Sequence, residues 1–340
     1  MGGLGNQLFQ VFTVLAYAWR IKTPFIFPHS LTLSTGKERP TYWNSVLGKL
    51  STYTTLNPSY HLSNEDVFNF PKYSETGFRF QPLPEWPSHD VLLFGYFQSY
   101  KYFDSFKNDI IHLLGITEMQ KQVLGEQAKY FQRDGVSDLR TVSMHFRLGD
   151  YKTALDFHRI LPVQYYVDSL REVLGGRMAK EHVRVLYFCE VEDASHVESE
   201  ISYLRSIFQQ VDFVRVDAML PDWKQLLMMS VCQDHIVANS SFSWFGAYLS
   251  DRSLTKAKRV VYPSKWFAAT VGHDLTDLFP PEWTQIMISD PKTTPLRNMR
   301  SLQASITLAG FLFILIVGCR WRTKSSISDF QRLVPYPEKD

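Results

Sequence analysis

Two short polar clusters, each following an apolar run, hold the residue types best suited to chemistry. The first is His145-Phe146-Arg147-Leu148-Gly149-Asp150-Tyr151, directly after Thr141 to Met144. The second is Asn239-Ser240-Ser241-Phe242-Ser243-Trp244-Phe245-Gly246, between His235 to Ala238 and a helical stretch. Serine hydroxyls, an asparagine amide and the free N–H groups of a helix start make an anion site. Arg147 adds a planar fork that matches phosphate oxygens. On an extended segment His145 and Arg147, two apart, face the same cleft. One arginine with helix N–H groups can stabilise a departing diphosphate without a metal. Taken singly, the clusters have plain structural explanations. An arginine near an aspartate is commonly an ion pair, and Ser-Ser-Phe-Ser is commonly a cap with its staple. Two clusters on one sheet, both at strand ends, point to a ligand site.

The elements that must position them alternate. Thr141 to Met144, Val183 to Phe188, Phe213 to Val216, His235 to Ala238 and Arg259 to Tyr262 read as strands. Pro162 to Leu174, Ala194 to Ile207, Trp223 to Ser230 and Ser243 to Leu249 read as helices, the first with proline in its opening turn. This alternation predicts a parallel sheet covered on both faces. Ligands gather at the carboxyl ends of such strands. The first half is less regular. Gly2-Gly3-Leu4-Gly5-Asn6-Gln7 reads as a loop opening a helix, Pro24 to Phe27 and Val91 to Tyr96 as strands, and Tyr102 to Leu114 as a helix. Residues 30–90 are rich in Ser, Thr, Tyr and Pro. A polar turn at residues 133–140 predicts the border between a lobe at 1–138 and one at 139–290.

Composition narrows the class. The chain has 340 residues, 45% hydrophobic and 21% charged, which is globular. A net charge of +2 gives no electrostatic support for a nucleic-acid partner. Three cysteines, none at metal spacing, form no disulfide framework. The glycine-rich opening lacks the third glycine of a dinucleotide fingerprint, and no Asp-x-Asp motif is present. Residues 301–319 carry no charge. As a helix they would reach roughly 28 Å at about 1.5 Å per residue, close to a bilayer core. They are expected to be a transmembrane helix, with a disordered tail at 320–340.

In three places the sequence resembles the α1,2-fucosyltransferase family (glycosyltransferase family 11). The opening Gly2 to Gln10, the central His145 to Tyr151, and Ile236 to Leu249 match its motifs in order, and Asp222 with Met229, Cys232 and His235 matches the approach to the last. The resemblance implies an α/β fold of the GT-B type with two Rossmann-like lobes. It implies inverting transfer from GDP-fucose to a galactose-terminated acceptor, with no metal and no cofactor. Arg147 is then expected on the β-phosphate. His145 and Asp222 are expected near the guanine nucleotide, Asn239, Ser240, Ser241 and Phe242 around the diphosphate and base, and Gly3, Gly5, Asn6 and Gln7 facing the reaction centre. Asp150 and Asp156 are the candidate bases, Asp150 having a structural alternative as a holder of its loop. Leu148 stands where the family has a second arginine. The family also has a strand ahead of the Gly2-Gly3 loop, so the first sheet is expected to lack its central strand or the start to be truncated. Golgi placement follows from the resemblance, whereas a C-terminal anchor puts the enzyme on the cytosolic face. A transferase with another acceptor or linkage, and a membrane-anchored inactive sugar- or nucleotide-binding protein, are the alternatives.

Overall fold

The computed structural model describes residues 2–33, 38–86, 90–136, 139–175, 182–250, 258–289 and 314–317. The first half contributes α1 (Leu4–Ile21), β1 (Phe25–Ile26), β2 (Thr32–Leu33), β3 (Arg39–Pro40), α2 (Asn64–Phe68), β4 (Lys72–Ser74) and β5 (Val91–Phe94). Helices α3 (Lys107–Leu114), α4 (Ile116–Glu126) and α5 (Ala128–Phe131) follow. The second half runs β6 (Leu139–His145), α6 (Val163–Leu174), β7 (His182–Phe188), α7 (Ala194–Ile207), β8 (Asp212–Arg215), α8 (Asp222–Ser230), β9 (Asp234–Ile236), α9 (Ser241–Tyr248), β10 (Val260–Pro263) and β11 (Thr284–Ile286). A last strand, β12, is Ile314–Val317.

The second half builds one six-stranded sheet, in the order β11-β10-β9-β6-β7-β8, with every pairing parallel. This is the alternation read from the sequence. Strand β6 feeds α6 and β7 on one side, while β9 pairs with its other edge. The chain therefore reverses direction between β6 and β9, and the loops leaving these two strands diverge to open a crevice. Along β6 the side chains alternate. Val142, Met144 and Phe146 enter the core beneath α6, and His145 and Arg147 take the other face. Leu148 also lies in that core, 5% exposed, so its lack of charge leaves no gap in the crevice.

Helix α1 links the two halves. It is buried from Leu4 to Trp19 apart from Asn6, as expected of a helix apolar on nearly every side. Phe9 meets Trp244 at 4.5 Å and Phe245 at 4.8 Å, and Phe12 meets Phe245 at 5.3 Å. Truncating one such ring costs about 3–5 kcal/mol.

The apolar C-terminal segment departs from the expected transmembrane helix. Ile314–Val317 is a strand lying between β1 and β5, antiparallel to both, in a four-stranded sheet of order β1-β12-β5-β4. Three of its four residues are β-branched, which favours extended backbone, and its polar groups pair on both sides. The rest of 301–319, and the tail at 320–340, lie outside the described residues. Among the described residues no helix is long and apolar enough to cross a membrane.

Candidate active site

A cleft of about 1240 Å³ opens over the carboxyl ends of β6, β9 and β7 and is roofed by α1 and its neighbours. Its centre is formed by two helix starts. Helix α1 begins after Gly3 with no side-chain cap and no acidic residue in its first turn. Helix α9 begins after Ser240, whose hydroxyl accepts the Phe242 N–H at 3.3 Å, again with no acid nearby in the helix. The two pack so closely that a Cβ on Gly5 would lie 2.3 Å from the Ser241 carbonyl carbon. Across this contact the Asn6 side-chain oxygen accepts from Ser241 at 2.6 Å and from Gln98 at 2.8 Å. Two sets of backbone N–H groups and two positive dipole ends thus meet in one place.

Arg147 stands at the same centre, 18% exposed. Its guanidinium donates to Asp150 at 2.5 Å and to Glu190, and its carbon lies 5.1 Å from the centroid of the Tyr151 ring. Burial disfavours its charge, but Asp150, Tyr151 and Glu190 outweigh burial and raise its pKa. The Tyr151 hydroxyl donates to the Asn239 carbonyl at 2.8 Å and so ties the β6 loop to the β9 loop. Its ring stacks on His158 at 3.8 Å. Gly149 takes a positive φ of 35°, and a side chain there would strike Glu190. The Gly149 N–H and the Lys152 ammonium both donate to buried Asp193, at 2.7 and 2.5 Å, which fixes the loop from below.

Every residue given a catalytic or binding role from the sequence lines this cleft except Gln7. The Gln7 amide is spent on the Gly2 and Pro40 carbonyls, at 3.2 and 2.9 Å, and supports β3. His145 is buried beside Phe242, with ring centroids 5.6 Å apart. Burial first, and Arg147 second, hold it neutral and lower its pKa to about 3. Its Nδ1 has no partner among the described residues. Asn239, which opens the glycosylation sequon Asn239-Ser240-Ser241, is 1% exposed, and its amide nitrogen donates to the Arg159 and Trp266 carbonyls. Glycosylation at that nitrogen is incompatible with this arrangement. Asp222 opens α8 and accepts a short hydrogen bond from Tyr42. Asp150 is shared between Arg147 and Arg39, whereas Asp156 is exposed and its carbonyl accepts from Thr270.

Several lining residues were not anticipated. Glu190 and Glu192 follow β7, and the rule that ligands gather at strand carboxyl ends could have found them. Arg39, Tyr96 and Gln98 come from the aperiodic first half, where no local pattern marks them.

Comparison with known proteins places the chain in a family. The sequence profile described as glycosyl transferase family 11 matches residues 59–287. The O-antigen biosynthesis glycosyltransferase WbnK of Escherichia coli is 30% identical over 54% of this chain and 58% of its own length. The alpha-1,2-colitosyltransferase of Escherichia coli is 31% identical over 45% of this chain and 50% of its own. The chain thus spans about half the length of the curated relatives it matches. Among solved structures, a family 9 glycosyl transferase from Veillonella parvula covers 52% of this chain and 42% of its own, at 11% identity and a TM-score of 0.30. Arabidopsis thaliana FUT1 in complex with GDP covers 48% and 38%, at 10% identity and a TM-score of 0.28. Both structural likenesses are too slight to carry an argument. With more than half of its residues inside the family profile, the chain belongs to glycosyl transferase family 11.

Proposed function

We infer that the cleft binds a nucleoside diphosphate sugar and transfers the sugar to a glycan hydroxyl with inversion. The donor we assign is GDP-fucose and the product an α1,2-linked galactoside. The observation that carries this reading is that Arg147 and the starts of α1 and α9 line one cleft, where the loops leaving β6 and β9 diverge. Charge develops on the departing diphosphate as the bond from the sugar's anomeric carbon to phosphate oxygen breaks. Fixed N–H groups and a guanidinium there stabilise the transition state more than the ground state. The two sheets act as two lobes of the GT-B type, residues 139–290 holding the donor and residues 1–138 facing the acceptor.

Each group then has a task. Arg147 takes the β-phosphate, and Ser240, Ser241 and the α9 N–H groups take the diphosphate oxygens. Asp222 and neutral His145 lie toward the nucleobase, where a carboxylate suits the paired donors of guanine. The acceptor oxygen attacks the anomeric carbon, the electron pair of the broken bond stays on GDP, and a carboxylate takes the proton. Asp156 fits that last role better than Asp150, because two guanidinium groups already hold Asp150. Assigning no metal leaves charge neutralisation to Arg147 and the helix starts. A colitosyl group in place of fucose is a second reading, motivated by the name of one relative. GDP release from each GDP-sugar by the full chain, with and without lactose, tests both. Lactose-dependent release supports transfer, and GDP binding without release from any donor supports an inactive binder.

A further inference from the structure

Four rings that the transfer mechanism does not use close one end of the cleft. Phe78 follows β4, Phe157 follows the β6 loop, and Phe267 and His273 follow β10. Phe78 meets His273 at 4.3 Å and Phe267 at 5.4 Å, and Phe157 meets Phe267 at 5.3 Å. Phe157 stays 37% exposed, an apolar ring left in water beside a polar cleft. Its neighbour Asp156, exposed, lines the same cleft. Strand order decides which part of the reaction belongs here. Asp222, assigned to the nucleobase, comes after β8 in the chain and Phe267 after β10, and those two strands are four spacings, about 19 Å, apart in the sheet. Arg147 and the α9 start follow β6 and β9, the strands between those two.

We propose that this aromatic cage seats a pyranose ring of the acceptor, stacked by its C–H face between Phe78 and Phe157. The inference rests on the transfer reading above. A pyranose has one face of C–H bonds and a rim of hydroxyls. Pockets that combine aromatic walls with a few convergent polar groups take such amphipathic ligands. Seated here, an acceptor ring presents its hydroxyl rim to Asp156 on one side and to the diphosphate centre on the other. The cage draws on both halves of the chain, so acceptor binding also holds them together over the donor.

The test uses saturation-transfer NMR on the full chain with methyl β-D-galactopyranoside and lactose, with and without GDP. Donor affinity is measured by calorimetry with GDP and with GDP-fucose. The wild type transfers saturation to the sugar's ring protons. Phe78→Ala and Phe157→Ala weaken sugar affinity about tenfold or more, as removal of a central aromatic contact does, and Phe157→Trp restores it. Their affinities for GDP and GDP-fucose stay within about twofold of wild type, a span of roughly 0.4 kcal/mol. Unchanged sugar signals in both alanine variants, or no sugar signal in the wild type, would overturn the proposal. So would a matching loss of GDP affinity, which would make the cage the nucleobase site, or a loss for GDP-fucose alone, which would give it to the donor sugar. Sugar bound on the cage by a chain that binds no GDP would sink the transfer reading and leave the cage.

Discussion

The carboxylate of Asp150 accepts a hydrogen bond from Arg39 across the cleft at 3.0 Å, while its other oxygen holds Arg147 at 2.5 Å. One carboxylate thus joins β3 of the first half to the β6 loop of the second. It also aims the guanidinium on which the diphosphate is proposed to rest.

That double engagement separates the two candidate bases. Asp156→Asn is expected to lower kcat by about 10²–10⁴-fold with acceptor KM little changed, the range for loss of a general base. Asp150→Asn should instead weaken GDP binding and raise acceptor KM, because it releases Arg147 and Arg39. Its effect on stability should stay below about 1 kcal/mol, since the pairs are partly solvated. Steady-state kinetics of the two variants decide the matter. A larger kcat loss in Asp150→Asn than in Asp156→Asn reverses the assignment.

Gly5→Ala probes the meeting of the two helix starts. The added methyl would lie 2.3 Å from the Ser241 carbonyl carbon, so α1 and α9 must separate. Overpacking of this kind costs about 1–3 kcal/mol. Thermal unfolding should move down by a few degrees, and GDP affinity should fall together with stability. Gly3→Ala is the control, because nothing lies within 4 Å of its added carbon. Equal effects from the two variants would show that the close approach is not what matters.

The parallel sheet was legible in the sequence because strand and helix alternate there with buried periodicity, and the site because Arg147 and Ser240 follow the carboxyl ends of two neighbouring strands. Gln7 was read as facing the reaction centre, yet its amide serves a backbone carbonyl 33 residues away, a partner no spacing rule names. Arg39 was missed for the same reason. Its meaning comes from an ion pair formed across 111 residues. Ile314–Val317 misled because it sits in an uncharged stretch, 301–319, long enough as a helix to span a membrane, and only its ladder partners, far off in sequence, show it extended.

His145 gives a pH dependence of known sign. Burial lowers its pKa from 6.5 to about 3. Between those values the unfolded chain binds a proton that the folded chain refuses. The stability owed to this group is therefore complete above pH 6.5 and is lost as pH falls through 3. His145→Gln should make the unfolding midpoint less steep with pH between about 4 and 6.5. The slope is reduced and not abolished, because buried His235 shifts in the same direction. An unchanged slope would mean that His145 takes up its proton in the folded state as readily as in water.

The most direct test of the central claim is GDP release from GDP-fucose by the full chain, with and without lactose, for wild type and Arg147→Ala. The account predicts lactose-dependent release by the wild type. It predicts a fall of about 10²–10³-fold or more in the variant, the usual cost of removing one donor to a developing negative charge. Arg147→Lys should recover little of it, because an ammonium cannot reproduce the two-pronged contact. Release by Arg147→Ala at the wild-type rate, with the variant folded, would contradict the assignment of the diphosphate to this site.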